Sequence, residues 1–228
     1  QRMPDAVPPG WIEALRRKSE VLGLPLALPE LAEDTLVDLP NSAREQGPLI
    51  VWNHRWEHDK GPEELVEIIE ALLDRGLIFR LAVCGHQFRR RPPALVAAEP
   101  RLRAALGSRL VQWGELPSRS AYLELLMQAQ IALSTARHEF FGIAVLEATH
   151  CGARPLVPDA LSYPELFPEE YRYATIADAV ATLAELIVDW RTGTLALRAD
   201  RRALSEPWSA PVMLERYRRL FERELAAG

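Results

Sequence analysis

The sequence predicts an α/β fold: a Rossmann-like parallel sheet flanked by helices, with a helical C-terminal extension. Three observations predict it. Short apolar runs of four to seven residues recur from Leu49 onward. Most are followed by a helical stretch of ten to fifteen residues. Hydrophobic residues make up 48% of the 228, enough to bury both faces of a sheet. Strands alternating with helices in this way mark βαβ units, whose crossovers are right-handed.

The elements follow in order. "PPGWIEALRRKSEVLG" reads as a short amphipathic helix opened by Pro9 and closed at Gly23. "LPLALPELAEDTLVDLPNSAREQGP" carries several prolines and reads as an extended linker. "LIVWN" is a buried strand. "GPEELVEIIEALLDRG" is a helix with Pro62 in its first turn, early acids, and Gly76 past its end. "LIFRLAVCG" is the second strand, and "PPALVAAEPRLRAALG" a helix with a possible break at Pro100. "RLVQWG", "QIALST" and "ARPLVP" are the third, fourth and fifth strands. The helices "SRSAYLELLMQA" and "GIAVLEATHCG" alternate with them. After Pro168 the chain is expected to be mainly helical: "TIADAVATLAELIVDWRTG", "TLALRADRRALS" and "SAPVMLERYRRLFERELAAG". The last carries Met213, Tyr217, Leu220 and Phe221 on one stripe.

Composition narrows the function. Net charge is −5, so bulk charge does not drive nucleic-acid binding. Mean hydropathy is −0.10, and no apolar run reaches the roughly 18 residues of a membrane span. The start, "QRMPDAVPPGW", shows no signal-peptide pattern. Two cysteines, Cys84 and Cys151, are too few for a disulfide framework and suit a reducing cytosol. The expectation is a cytoplasmic protein without membrane contact. Of 27 basic residues only Lys18 and Lys60 are lysines, which singles out Lys60.

In an open parallel sheet, ligands bind beyond the carboxyl ends of the strands. Four loops follow strands there: "HRWEHDKGP", Gly85-His86-Gln87, "GELPSR" and "ARHEFFG". In the first, Arg55 and Lys60 stand beside a helix start, a diphosphate-binding arrangement. The plainer reading pairs Arg55 with Glu57 or Asp59 on a solvated loop. Trp52 and Trp56 are expected to pack. In the last, Gly142 opens a helix whose free N–H groups face outward. Glu139 precedes that helix and Glu147 lies inside it, so they do not share one face. Carboxylates only accept hydrogen bonds, so the pair suits hydroxyl groups on either side of a phosphate.

These stretches resemble a known family. "EFFGIAVLE" resembles the E-x7-E signature of retaining GT-B glycosyltransferases of the family-four group. "HRWEHDKGP" resembles its Arg and Lys loop, and "LVQWGELP" the stretch that cups the nucleobase. "LIVWNHRWEHDKGPE" and "STARHEFFGIAVLEATHCGARPLVP" are most similar to the tRNA-queuosine mannosyltransferase group. The resemblance covers about residues 49–170.

It implies the C-terminal half of a GT-B fold, binding a nucleotide-sugar, with GDP-mannose as donor and no required metal. The chain contains no Asp-x-Asp. Arg55 and Lys60 would hold the diphosphate and stabilise the leaving nucleotide. Backbone around Phe140, Phe141, Gly142 and Ile143 would contact the same diphosphate. Glu147 would bind ribose, and Glu139 a hydroxyl of the transferred sugar. Gly85 and the Trp113-Gly114 backbone would border the nucleotide. tRNA would be the acceptor of the longer enzyme. Residues 1–22 resemble the end of an N-terminal acceptor domain, 23–48 the hinge, and 49–228 the donor domain. On this reading the last helix, with Trp208 and Tyr217, has little to cover, which favours self-association.

Three departures from the family pattern stand out. His54 replaces a Gly before the loop Arg, Phe140 replaces the first Gly of Glu-Gly-Phe-Gly, and His86-Gln87 replace a further Gly. Competing readings are a zinc site from His54, His58, His86 and His138, RNA binding by Arg89-Arg90-Arg91, and a nucleotide-sugar-binding module without its own activity.

Overall fold

A computed structural model describes residues 10–30, 45–87, 89, 91–193 and 201–227. Six parallel strands form one sheet in the order β3-β2-β1-β4-β5-β6. They are β1 (Leu49–Trp52), β2 (Arg80–Cys84), β3 (Leu110–Gly114), β4 (Ile131–Leu133), β5 (Arg154–Pro158) and β6 (Arg172–Tyr173). The strand order reverses between β1 and β4, the place where open α/β sheets hold their ligands. The fold is the predicted one.

The core alternates across the sheet with the strand period of two. Ile50, Trp52, Leu81 and Val83 face one helical layer. That layer holds α2 (Pro62–Asp74), α3 (Pro93–Leu106) and α7 (Ile176–Thr192). Leu49, Val51, Ala82 and Cys84 face the other, with α4 (Arg119–Gln128), α5 (Ile143–His150) and the short α6 (Tyr163–Leu166). Helix α2 shows why the sequence folds this way. Leu65, Ile68, Ile69 and Leu72 recur at helical spacing and are all buried. Pro62 occupies its first turn, where no N–H is needed. Helix α7 opens with a capping box between Thr175 and Asp178 and ends at Gly193 in the left-handed region.

Several expectations need correction. Helix α3 runs through Pro100 unbroken, because Leu95, Ala98, Leu102 and Leu106 hold its apolar stripe in the core. Strand β6 lies in the stretch after Pro168 that is expected to be mainly helical. Only two residues pair there, Val157 with Arg172 and Pro158 with Tyr173, too few for a sequence period. The first helix, α1 (Trp11–Lys18), is shorter than the 8–23 expected, buries no residue, and ends where Ser19 turns extended. Of the stretch 194–205, residues 194–200 lie outside the described residues, and α8 (Arg202–Ser205) is its helical part. Residues 31–44 of the linker and 1–9 also lie outside them.

Of the described linker residues, 23–30 are extended but docked. Leu26 N–H donates to the Trp208 carbonyl, and Ala210 N–H to that of Leu26. His150 Nε2 lies 3.0 Å from the Pro29 carbonyl. The last helix, α9 (Ala210–Ala227), therefore has something to cover. Met213 is buried, Tyr217 donates to the Gly23 carbonyl, and Trp208 packs edge-on against Phe141. Phe221 and Leu225, further along, stay exposed.

Candidate functional site

Two clamps bring the β1 and β4 loops together. Thr135, just past β4, accepts a hydrogen bond from Trp52 Nε1 and lies within reach of the Lys60 and Gly61 carbonyls. Arg137 and His138 N–H groups both donate to the Asp59 carbonyl. The loop carrying Lys60 is thus fastened to the loop carrying Glu139. Gly85 is needed for a similar reason: a Cβ there would overlap the His54 carbonyl, and its φ is +144°.

Lys60 is buried, with three oxygen neighbours. Its ammonium donates to the His138 carbonyl at 2.8 Å and lies 3.2 Å from Asp59 and 3.3 Å from Glu139. Glu139 also accepts from the Phe140 N–H at 3.1 Å. Arg55 is exposed and paired with Glu57 at 3.0 Å, the plainer of its two readings. Gly142 caps α5 in the left-handed region at φ +95°. A Cβ there would crowd Leu166 and Tyr163, so the glycine serves internal packing as well as access.

Glu147 lies one turn into α5 and is held on both oxygens. Arg119 donates to Oε1 at 2.5 Å and the Tyr122 hydroxyl to Oε2 at 3.1 Å. Asn53 Nδ2 donates in turn to the Tyr122 hydroxyl at 2.9 Å and to the Ala144 carbonyl at 2.7 Å. Burial holds the Tyr122 hydroxyl well above its ordinary pKa, so it stays a donor at neutral pH.

Two open pockets form the crevice. One, of about 390 Å³, includes Gly85, His86, Glu115, Leu116 and Arg119. The other, of about 370 Å³, includes Lys60, Glu139, Phe140, Phe141 and Ile143. Asn53, Arg55 and Glu147 line both. Glu147 therefore stands where the two pockets meet. The structure brings Arg55, Lys60, Gly85, Glu139, Phe140, Phe141, Ile143 and Glu147 to this crevice.

The aromatic residues differ in placement. Trp113 turns its ring onto Trp56, 5.5 Å between centroids, and the wall beyond β3 comes from Glu115 and Leu116. Trp52 and Trp56 pack in the core as expected. Phe140 is 84% exposed at the lip, edge-on to His138. Sequence reasoning missed Asn53, Arg119 and Tyr122. Their signal was faint: one residue past β1, and one face of the helix after "GELPS".

The four histidines do not converge. His54 is buried beside Trp52, and burial lowers it from near 6.5 to about 4, which keeps it neutral. Glu139 opposes that shift and Lys60 adds to it. His58 pairs with Glu63, and His86 with Glu115. Among the described residues no three His, Cys, Asp or Glu side chains gather as a metal site. Of Arg89-Arg90-Arg91, Arg90 lies outside the described residues. No helix among the described residues is long and apolar enough to cross a membrane.

Comparison with known proteins adds to this geometry. The family model described as "Glycosyl transferases group 1" matches residues 39–205. The Drosophila melanogaster tRNA-queuosine alpha-mannosyltransferase is 37% identical over 166 residues, 72% of this chain and 43% of that protein. The Xanthomonas campestris GDP-mannose:cellobiosyl-diphosphopolyprenol alpha-mannosyltransferase is 31% identical over 154 residues, 62% of this chain and 39% of that one. The chain thus spans well under half the length of these relatives. Among solved structures, a sucrose-phosphate synthase from Thermosynechococcus elongatus superposes with a TM-score of 0.66 at 20% identity, covering 96% of this chain and 57% of its own. Anabaena HepE, solved with UDP, gives 0.68 at 14%, covering 90% and 57%. These likenesses show the fold.

Proposed function

The chain belongs to the glycosyl transferases group 1 family, and we propose that it is the donor-binding part of a retaining mannosyltransferase that takes GDP-mannose. The observation that carries the reading is the order of groups along the crevice. Glu147 stands between a pocket rimmed by the β3 loop and a pocket floored by Lys60 and Glu139. A nucleotide-sugar has its parts in that order. The base enters the β3 side, and ribose hydroxyls donate to Glu147. The diphosphate lies between Arg55, Lys60 and the N-terminus of α5. The sugar reaches Glu139.

The chemistry follows from electrostatics. As the glycosidic bond breaks, negative charge grows on the departing diphosphate. Lys60 is fixed in place before the donor arrives, and the free N–H groups of α5 add a partial positive charge. Preorganised charge of this kind stabilises a transition state without reorganising during it. Glu139 orients the sugar and faces the positive charge developing on its ring.

GDP-mannose is favoured over other donors by the Xanthomonas relative, which is named for that donor. The fly relative points to queuosine in tRNA as acceptor, and the two free cysteines suit the cytoplasm as location. We propose that acceptor binding lies in a further domain preceding residue 49, of which residues 1–22 are the end and 23–48 the hinge. This chain alone then binds donor without transferring mannose. Calorimetry with GDP, UDP and ADP tests the reading. GDP is expected to bind best, and Glu147→Ala to weaken it by about 1–3 kcal/mol, as for a lost charged hydrogen bond. Equal binding of all three would remove the guanine preference, and no binding would remove the donor site.

A further inference from the structure

We infer that Tyr122 and Asn53 are positioning residues that set Glu147 for reading the ribose diol. The inference rests on the donor-site reading above. Glu147 sits on a helix surface, where a free carboxylate samples several rotamers. Here Tyr122 fixes one of its oxygens from the α4 side. The Tyr122 hydroxyl has a single proton to give, and it gives it to Glu147 because Asn53 Nδ2 already donates to the hydroxyl oxygen. Asn53 cannot turn around to reverse this, since its amide also donates to the Ala144 carbonyl, within α5 itself.

The chain of donors therefore runs one way, from Asn53 to Tyr122 to Glu147. It ties the end of β1 to two helices at the strand-order reversal. It also leaves lone pairs on both Glu147 oxygens for two neighbouring hydroxyls. Arg119 differs: it holds the other Glu147 oxygen and lies over the Tyr122 ring, but its side chain is half-exposed and open to solvent or phosphate. The predicted consequence is selective. Loss of the Tyr122 hydroxyl should weaken recognition of the 2′- and 3′-hydroxyls and leave diphosphate binding alone.

The test is calorimetry of the intact chain with GDP, 2′,3′-dideoxy-GDP and inorganic pyrophosphate. The unaltered protein is expected to prefer GDP to the dideoxy form by about tenfold or more, as for hydrogen bonds to a charged group. Tyr122→Phe should cut that preference to about threefold or less, with pyrophosphate affinity unchanged and the melting curve still cooperative. In a cycle with Glu147→Gln, the two substitutions should be strongly non-additive. Full preference retained in Tyr122→Phe, or additive effects, would overturn the relay while leaving the donor site standing. An unaltered protein that does not distinguish the two nucleotides would overturn both. Asn53→Leu gives a second route to the same loss, by freeing the tyrosine hydroxyl to turn.

Discussion

The two pockets that meet at Glu147 are built from different materials. On the Lys60 side the charges are buried: the Lys60 and Glu139 side chains are 6% and 13% exposed. On the β3 side the side chains are open: those of His86 and Glu115, 3.1 Å apart, are 55% and 56% exposed. Buried charge is expensive to move, so the Lys60 side is fixed before any ligand arrives. Exposed pairs contribute little and exchange partners freely. The first side is suited to stabilising charge during reaction. The second is suited to accepting a base and giving up weak internal contacts to do so.

The sharpest way to break this contrast is Lys60→Ala. It leaves Glu139 and Asp59 facing one another without their shared cation. The expected loss is about 3–5 kcal/mol of folding stability, as for one partner of a buried pair. Urea unfolding reads it. A loss below about 1 kcal/mol would place Lys60 among ordinary surface lysines.

Acid titration sharpens the same point. Burial lowers His54 from near 6.5 to about 4. Between those values the unfolded chain takes up a proton that the folded chain refuses. Its stabilising contribution is complete above pH 6.5 and lost as pH falls towards 4. From pH 7.5 to 5 the expected loss from this group is about 2 kcal/mol. His150 is also lowered by burial and adds to the slope. His54→Gln should flatten the curve of urea stability against pH. An unchanged slope would remove His54 as its source.

The smallest effect belongs to the open side. Arg119→Ala should change stability by no more than about 1 kcal/mol, because its side chain is half-exposed. A larger loss by urea unfolding would mean that both pockets are rigid, and the contrast would fail.

Much of the fold was legible because the period was. The apolar runs 49–53 and 77–85 read as buried strands, within which β1 and β2 lie, and α2 read from its spacing and Pro62. Strand β6 was not, since two residues carry no period. Pro100 misled because local propensity yields to a buried stripe at Leu95, Ala98, Leu102 and Leu106. In the site, Lys60 and the Glu139–Glu147 stretch were visible as chemistry beside helix starts. Asn53, Tyr122 and Arg119 were not. Their role depends on α4 lying against α5, a tertiary contact between residues 25 or more positions apart. Docking of residues 23–30 on α9 was hidden for the same reason.

The most direct test of the donor site is a crystal structure with GDP-mannose bound. The account predicts guanine beside Glu115 and Leu116, ribose hydroxyls on Glu147, and the diphosphate between Arg55, Lys60 and the α5 N-terminus, with mannose at Glu139. A nucleotide lying in the reverse direction, with mannose on the β3 side, or one bound outside the β1–β4 crevice, would contradict it.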